Sequence, residues 1–105
     1  MMLGKKWTRP KSFSVAGRVF RISYVVESSR LDADDMGCAD YDLGEITVRT
    51  HLEGHKLPED SIRETLFHEL KHVEFWAAGL SECATDERLV SQTSNVALQI
   101  WESLR

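Results

Sequence analysis

Apolar and polar residues alternate in two stretches of the first half of the chain. In the first, from Phe13 to Val26, the alternation is broken once by Ala16-Gly17, which indicates two strands joined by a tight turn. In the second, from Gly37 to Thr50, the segment Asp42-Leu43-Gly44 supplies turn residues between two further strands. The pattern therefore predicts a small antiparallel sheet of about three strands.

After Pro58 the spacing of apolar residues changes to three and four, which is the helical period. Proline suits the start of a helix, and the acidic Glu59 and Asp60 suit the positive end of its dipole. Gly79 can adopt the left-handed conformation that ends a helix, and Ser81 can cap the next one. The core-facing positions are Ile62, Leu66, Leu70, Val73 and Ala77 in the first helix, and Leu89, Val90, Val96, Ala97, Ile100, Trp101 and Leu104 in the second. A short connection makes the helices antiparallel neighbours, and the predicted fold class is α+β.

Length and charge restrict the function classes. A chain of 105 residues predicts a single domain, residues 13–105, preceded by a flexible basic arm, residues 1–12. The net charge of -4 argues against a nucleic-acid or anionic-membrane partner, because such binding needs clustered Lys and Arg. Residues 27–36 are polar and acidic, and they predict a solvated loop because the spacing of a calcium loop is absent.

Cysteine usage and hydropathy predict the compartment. Cys38 and Cys83 lie 45 residues apart and form no C-x-x-C pair, so free thiols are expected. No run approaches 18 apolar residues, and residues 1–14 lack the apolar segment of a signal peptide. We expect a cytoplasmic protein.

Residues 68–72 read His-Glu-Leu-Lys-His, the pattern H-E-x-x-H, in the middle of the first predicted helix. At about 100° per residue, His68 and His72 lie about 40° apart on one face, so both imidazoles can reach one ion. Glu69 lies beside that face, where its carboxylate can accept a proton from the attacking water. Two structural histidines are the alternative. The pattern arises by chance in roughly a few chains of this size per thousand, and its place in mid-helix predicts a Zn²⁺ site.

A catalytic zinc site takes three protein ligands and leaves one position for water. The second helix, returning past the histidines, offers Glu82, Asp86 and Glu87. Glu82 lies too close to the connection. Asp86 falls near the centre of the apolar stripe and Glu87 near its edge, from which the longer side chain can reach the metal. Helical geometry therefore favours Glu87 as the third ligand and keeps Asp86 as its rival.

The order of these segments resembles the small phage and bacterial metallopeptidases of the ImmA/IrrE type, over about residues 13–104. The specific part is Glu64–His72, Glu-Thr-Leu-Phe-His-Glu-Leu-Lys-His; the segment Gly37–Asp40 and the strand beginning at Glu45 are more generic. These enzymes belong with the gluzincins, whose third zinc ligand is a glutamate on the following helix. This chain has Ser91 where the family often has asparagine.

The resemblance implies a zinc-dependent endopeptidase that hydrolyses a peptide bond in a protein substrate, with Glu69 as general base. It also implies that the substrate backbone pairs with an exposed strand beside the active-site helix, for which residues 45–50 are the candidate. Tyr41, Tyr24 and His51 are the candidates to bind the oxyanion of the transition state.

A second class of function has the same metal site without the reaction. In a core this small, metal binding can supply much of the folding free energy, so zinc alone does not imply catalysis. The alternative is a zinc-stabilised, non-catalytic protein-binding module of phage type.

Overall fold

The computed structural model describes residues 7–104, and the fold is α+β. Within this range, six strands precede three helices. The strands are β1 (Ser12–Val15), β2 (Arg18–Val25), β3 (Gly37–Asp40), β4 (Glu45–Arg49), β5 (His51–Leu52) and β6 (His55–Lys56). The helices are α1 (Glu59–Ala77), α2 (Ser81–Ala84) and α3 (Glu87–Ser103). The predicted α+β class is confirmed.

The main sheet has four strands in the order β1-β2-β4-β3, and β5 and β6 form a separate hairpin. The two predicted hairpins exist, because β1 pairs antiparallel with β2 and β3 antiparallel with β4. They join through β2 and β4, which run parallel. The prediction of an antiparallel sheet of about three strands is therefore wrong in detail. A local pattern specifies each hairpin, whereas the contact between hairpins depends on the crossover formed by the loop 26–36 and β3.

Turn chemistry fixes the registers of both hairpins. Ala16 and Gly17 both have positive φ, 52° and 74°, as the tight turn between β1 and β2 requires. Gly44 also has positive φ, and the Asp40 side chain accepts a hydrogen bond from the Leu43 amide in the same turn. These registers direct the apolar residues of β2 and β4 to one face, where they meet α1. The buried core cluster is Phe20, Ile22, Ile46, Val48, Ile62, Leu66 and Val73.

The helix α1 begins directly after Pro58 and is followed by Gly79, close to the predicted bounds. Gly79 has a φ of 77°, and the amide of Leu80 donates to the carbonyl of Phe75, which closes the last turn. Of the predicted core positions, Leu70 is partly buried against the core. Within residues 7–104, no helix is long and apolar enough to span a membrane.

The second predicted helix is two helices. The four-residue α2 ends at Ala84, and α3 begins after Asp86. The buried face of α3 consists of Val90, Ser94 and Leu98. The predicted core residues Val96, Ile100 and Leu104 are 54%, 56% and 49% exposed. The prediction, which considered only apolar residues, missed the polar Ser94, which is 2% exposed. The helices α1 and α3 are antiparallel as expected, since His72 meets Glu87 and Arg63 meets Glu102.

The predicted flexible arm is anchored from Trp7 onward, and its first six residues lie outside the described range. Arg9 donates two hydrogen bonds to the Glu59 carboxylate, at 2.9 and 2.6 Å, and the Trp7 indole donates a third at 3.0 Å. The Arg63 guanidinium lies over the rings of Trp7 and Trp101, 5.4 and 5.7 Å from their centroids. The segment before β1 therefore connects the start of α1 to the end of α3.

Acid should weaken the Glu59 contact. Hydrogen bonds from Arg9, with a further one from Trp7, lower the pKa of Glu59 from 4.5 to about 2. A lowered pKa in the folded state stabilises the protein fully above pH about 4.5, and this stabilisation is lost as pH falls towards 2. With 41% of the side chain exposed, solvent screening limits the effect to about 1 kcal/mol. Urea unfolding of Glu59→Gln between pH 6 and 2.5 should therefore show a shallower acid decline than wild type.

The exposed Glu27, which forms no ion pair among the described residues, provides the matched control as Glu27→Gln. An equal flattening by Glu27→Gln would contradict the assignment to Glu59.

Candidate metal centre

Three side chains, two from α1 and one from α3, lie close together. The Nε2 atom of His68 lies 3.2 Å from Glu87 Oε2, and that of His72 lies 2.9 Å from Glu87 Oε1. The histidines are one turn apart on α1, and Glu87 is the first residue of α3. One potential ligand atom from each residue lies within 4.8 Å of the others. These are the three ligands predicted from sequence.

The donor set fits a zinc ion. Zinc is commonly bound by two imidazole nitrogens and one carboxylate, at about 2.0 to 2.2 Å, which places neighbouring ligand atoms of a tetrahedron roughly 3.3 Å apart. The two His–Glu distances are close to that value, so small rotations of the side chains would admit an ion. Three protein ligands also leave a coordination position open, as catalytic sites do. The group is therefore a candidate site for a divalent metal ion.

The backbone of α2 orients His72. The Nδ1 atom of His72 lies 2.6 Å from the carbonyl oxygen of Ala84. Since a carbonyl oxygen only accepts, Nδ1 must carry the proton and donate it. This hydrogen bond leaves Nε2 as the ligand atom, the arrangement that usually supports metal-binding histidines. On the other side, His68 Nδ1 has only a long contact of 3.5 Å with Ser91 Oγ. Sequence analysis missed Ala84, because a backbone carbonyl has no residue-type signal.

Asp86, the rival third ligand, has a different contact. It is the N-cap of α3, and its Oδ1 atom accepts a hydrogen bond of 3.0 Å from the Leu89 amide. Such a bond satisfies one of the free amides at a helix start. Asp86 is also outside the group of possible ligands found among residues 7–104. Because α3 begins directly after Asp86, Asp86 caps the helix, whereas Glu87 lies beside both histidines.

Glu69 lies close to this group of three residues but is far more buried than Glu87. Its side chain is 7% exposed, and no described residue forms a hydrogen bond with it. Burial raises the pKa of Glu69 to about 7, with His72 lowering it and the charges of Glu87 and Asp35 raising it further. A metal dication at the His–His–Glu group would favour the ionised carboxylate. Glu69 is thus a largely buried carboxylate that lines the cleft beside the proposed ligands, where a general base can meet the attacking water.

A cleft of about 530 Å³ opens beside this group. The loop before β3, the middle of α1 and the first half of α3 line it, and Gly37 lies at its floor. A Cβ atom at Gly37 would lie 2.8 Å from Thr65 Cγ2 and 3.0 Å from Glu69 Cγ. Glycine therefore lets β3 approach α1 more closely than a larger residue would.

The sheet order changes which strand can receive a peptide. The predicted strand 45–50 corresponds to β4, which lies in the interior of the sheet between β2 and β3. Both of its edges are hydrogen-bonded, so addition of a strand there is excluded. The edge strand beside α1 is β3, Gly37–Asp40. Sequence alone could not reveal this, because the strand order depends on the parallel pairing of β2 with β4.

The three candidate oxyanion ligands lie in different environments. The Tyr24 hydroxyl donates to the Pro10 carbonyl, and His51 Nδ1 contacts the Thr50 hydroxyl. Tyr41 stacks on Trp76 at 5.1 Å between ring centroids. Burial raises the pKa of Tyr41, and the charges of Glu69 and Glu87 raise it further. Tyr41 is thus the candidate whose pKa responds to the charges of Glu69 and Glu87.

Comparison with protein-family models, with curated proteins and with solved structures finds no match for this chain. The inference of function therefore depends on the chemistry and geometry of the site.

Separate substitutions of Glu87 and Asp86 should show which of the two residues binds metal and which one caps α3. Glu87→Ala removes a ligand, and should weaken zinc binding by more than about 100-fold, because losing even an outer partner of a ligand costs 10- to 100-fold. Asp86→Ala removes the N-cap, and should cost about 1 kcal/mol of stability with little change in zinc affinity. Competitive chelator titration and urea unfolding measure the two quantities. The opposite ranking of zinc affinities would assign the third ligand to Asp86.

Proposed function

We propose that the protein is a zinc-dependent metallopeptidase of the gluzincin type, with His68, His72 and Glu87 as ligands and Glu69 as general base. The main support is the juxtaposition of a three-ligand group with a buried carboxylate that has no hydrogen-bond partner among the described residues. A purely structural metal site does not require such a carboxylate. The unpaired half-buried thiols Cys38 and Cys83 accord with a reducing compartment, and we place the protein in the cytoplasm.

In this proposal the metal, when bound, supplies Lewis acidity that polarises the scissile carbonyl and activates water. Glu69 accepts a proton from the attacking water as its oxygen bonds to the carbonyl carbon. The same carboxyl group then gives that proton to the departing amine as the C–N bond breaks. The hydrogen bond from His72 to the Ala84 carbonyl holds the imidazole in the orientation needed throughout.

The cleft and the neighbouring strand give the substrate a place to bind. A peptide added to the free edge of β3 would gain main-chain hydrogen bonds while lying beside α1. Tyr41 directly follows β3 and is held by its stack on Trp76 and by the Arg18 guanidinium, which donates to the Tyr41 carbonyl. Its hydroxyl is the candidate donor to the oxyanion that develops on the carbonyl oxygen.

A binding module is the second candidate, and one observation favours it. Glu87 contacts both histidines, so an ion at this position would connect the start of α3 to the middle of α1. Metal binding would then stabilise the contact between the helices whether or not a reaction occurs.

The substitution Glu69→Gln separates the two candidates. It keeps the size of the side chain and leaves all three ligands in place, so zinc content and melting temperature should change little. Peptide hydrolysis should fall by a factor of about 10² or more, because the proton acceptor is gone. Cleavage of a fluorogenic peptide library, alongside elemental analysis of both proteins, gives the comparison.

Two results would contradict the peptidase. One is equal hydrolysis by wild type and Glu69→Gln. The other is the absence of any cleavage by zinc-loaded wild type, together with retention of an intact protein partner by both forms.

Tyr41→Phe tests the oxyanion donor. It should lower kcat by roughly 100- to 1000-fold, the range seen on removing one such donor, with little change in KM or zinc affinity. Tyr24→Phe is the matched control, because it also removes one phenol hydroxyl but breaks a hydrogen bond to Pro10 instead. That control should lose stability and keep kcat. Equal kcat for Tyr41→Phe and wild type would exclude Tyr41 from catalysis.

A further inference from the structure

The cleft beside the metal centre has an unusually one-sided charge. Its lining includes five carboxylates, those of Asp34, Asp35, Glu64, Glu69 and Glu87, and no Lys or Arg among the described residues. They come from three separate parts of the chain: the loop before β3, α1 and the start of α3. None of the five forms an ion pair with a described Lys or Arg. A metal dication held by Glu87 beside Glu69 would offset the charge of these two. The negative charge that the protein does not itself neutralise is therefore that of Asp34, Asp35 and Glu64.

The buried cation that contacts the loop before β3 is Arg49, and it is bound to backbone oxygens. Arg49 is 7% exposed, and it donates to the backbone carbonyls of Asp32 and Asp35, at 3.0 and 2.8 Å. It thus fixes the shape of the loop without pairing with the carboxylate of Asp34 or Asp35. Glu64 is exposed on α1, and no described residue pairs with its side chain.

A second observation points to a ligand in this cleft. Glu69 is more than nine-tenths buried, lines the cleft and has no hydrogen-bond partner in residues 7–104. Its oxygens are not among the fully buried atoms that lack a partner, so they open to the cleft, where a bound molecule can donate to them. The exposed Glu64 and Asp34 lie on the walls around it, so the negative charge extends from the proposed reaction centre to solvent.

From this arrangement we infer that the cleft selects polypeptides with a Lys or Arg side chain close to the bond that meets the metal centre. An extended chain paired to β3 passes the cleft, and a long basic side chain can reach Glu64 and Asp34 from there. Charge complementarity of this kind favours cationic partners and disfavours acidic ones. The inference deepens the proposed function and depends on it for the position of the scissile bond, but binding can be measured separately from hydrolysis.

The experiment uses fluorescein-labelled octapeptides of Ala, Ser and Gly that carry one Lys, Gln or Glu at each position in turn. Binding to the Glu69→Gln protein, in which hydrolysis should be slower by a factor of about 10² or more, is measured by fluorescence anisotropy at low salt. At the best position, Lys should bind about tenfold more tightly than Glu. The preference should shrink at about 0.5 M NaCl, because salt screens exposed charges.

A charge-matched pair of double variants locates the effect. Glu64→Gln with Asp34→Asn removes two negative charges from the cleft, and should reduce the preference for Lys to about threefold or less. Glu27→Gln with Asp42→Asn removes the same charge from residues that do not line the cleft, and should leave the preference unchanged. Equal loss in both pairs, or no preference for Lys at any position, would overturn the inference.

Hydrolysis gives an independent result. If Lys peptides bind selectively but wild type cleaves none of them, the charge selection stands and the peptidase proposal fails. If wild type cleaves peptides regardless of charge at every position, the peptidase stands and the charge selection fails.

Discussion

The packing of α1 between the sheet and α3 is the constraint on which the rest of the structure depends. One face of α1 gives Ile62, Leu66 and Val73 to the core, and the neighbouring face buries Glu69 and His72. Burying polar groups is costly unless they are hydrogen-bonded. His72 meets this requirement through Ala84 and Glu87, so α2 and the start of α3 must lie where those contacts can form. Polar contacts of α1 thus set the position of α3 together with apolar ones.

Glu69 meets this requirement less well, and its position has a cost. It is largely buried and has no hydrogen-bond partner among the described residues, although its oxygens open to the cleft, and partial removal from water disfavours the charged form of a carboxylate. A chain with few fully buried side chains has little stability to offset that cost. Native sequences keep such conflicts mainly at functional sites. The burial of Glu69 therefore supports a chemical role more strongly than the spacing of the histidines does, since that spacing occurs in ordinary helices too.

Sequence reasoning succeeded where the information was local. The turn at Ala16-Gly17, the bounds of α1 and the approach of Glu87 to both histidines all follow from residue type and spacing within short segments. It failed where the information was long-range. The parallel pairing of β2 with β4 and the edge position of β3 depend on how two hairpins meet.

The sequence also did not predict which face of α3 is buried. Its inward face centres on the polar Ser94, whereas the apolar Val96 and Ile100 point to solvent. A hydrophobic count selects the larger apolar residues, but the close contact between α1 and α3 favours a small side chain.

The mixed topology of the sheet explains how so short a chain forms a cleft. Because β2 and β4 are parallel, the chain must return across the end of the sheet before β4 can begin, and residues 26–36 make that crossing. Arg49, at the end of β4, holds the crossing segment by two of its carbonyl groups. The acidic side chains of the same segment are left facing the cleft, opposite Glu64 on α1. The feature that sequence reasoning could not predict, the parallel strand pair, is therefore the one that places an acidic wall beside the candidate metal centre.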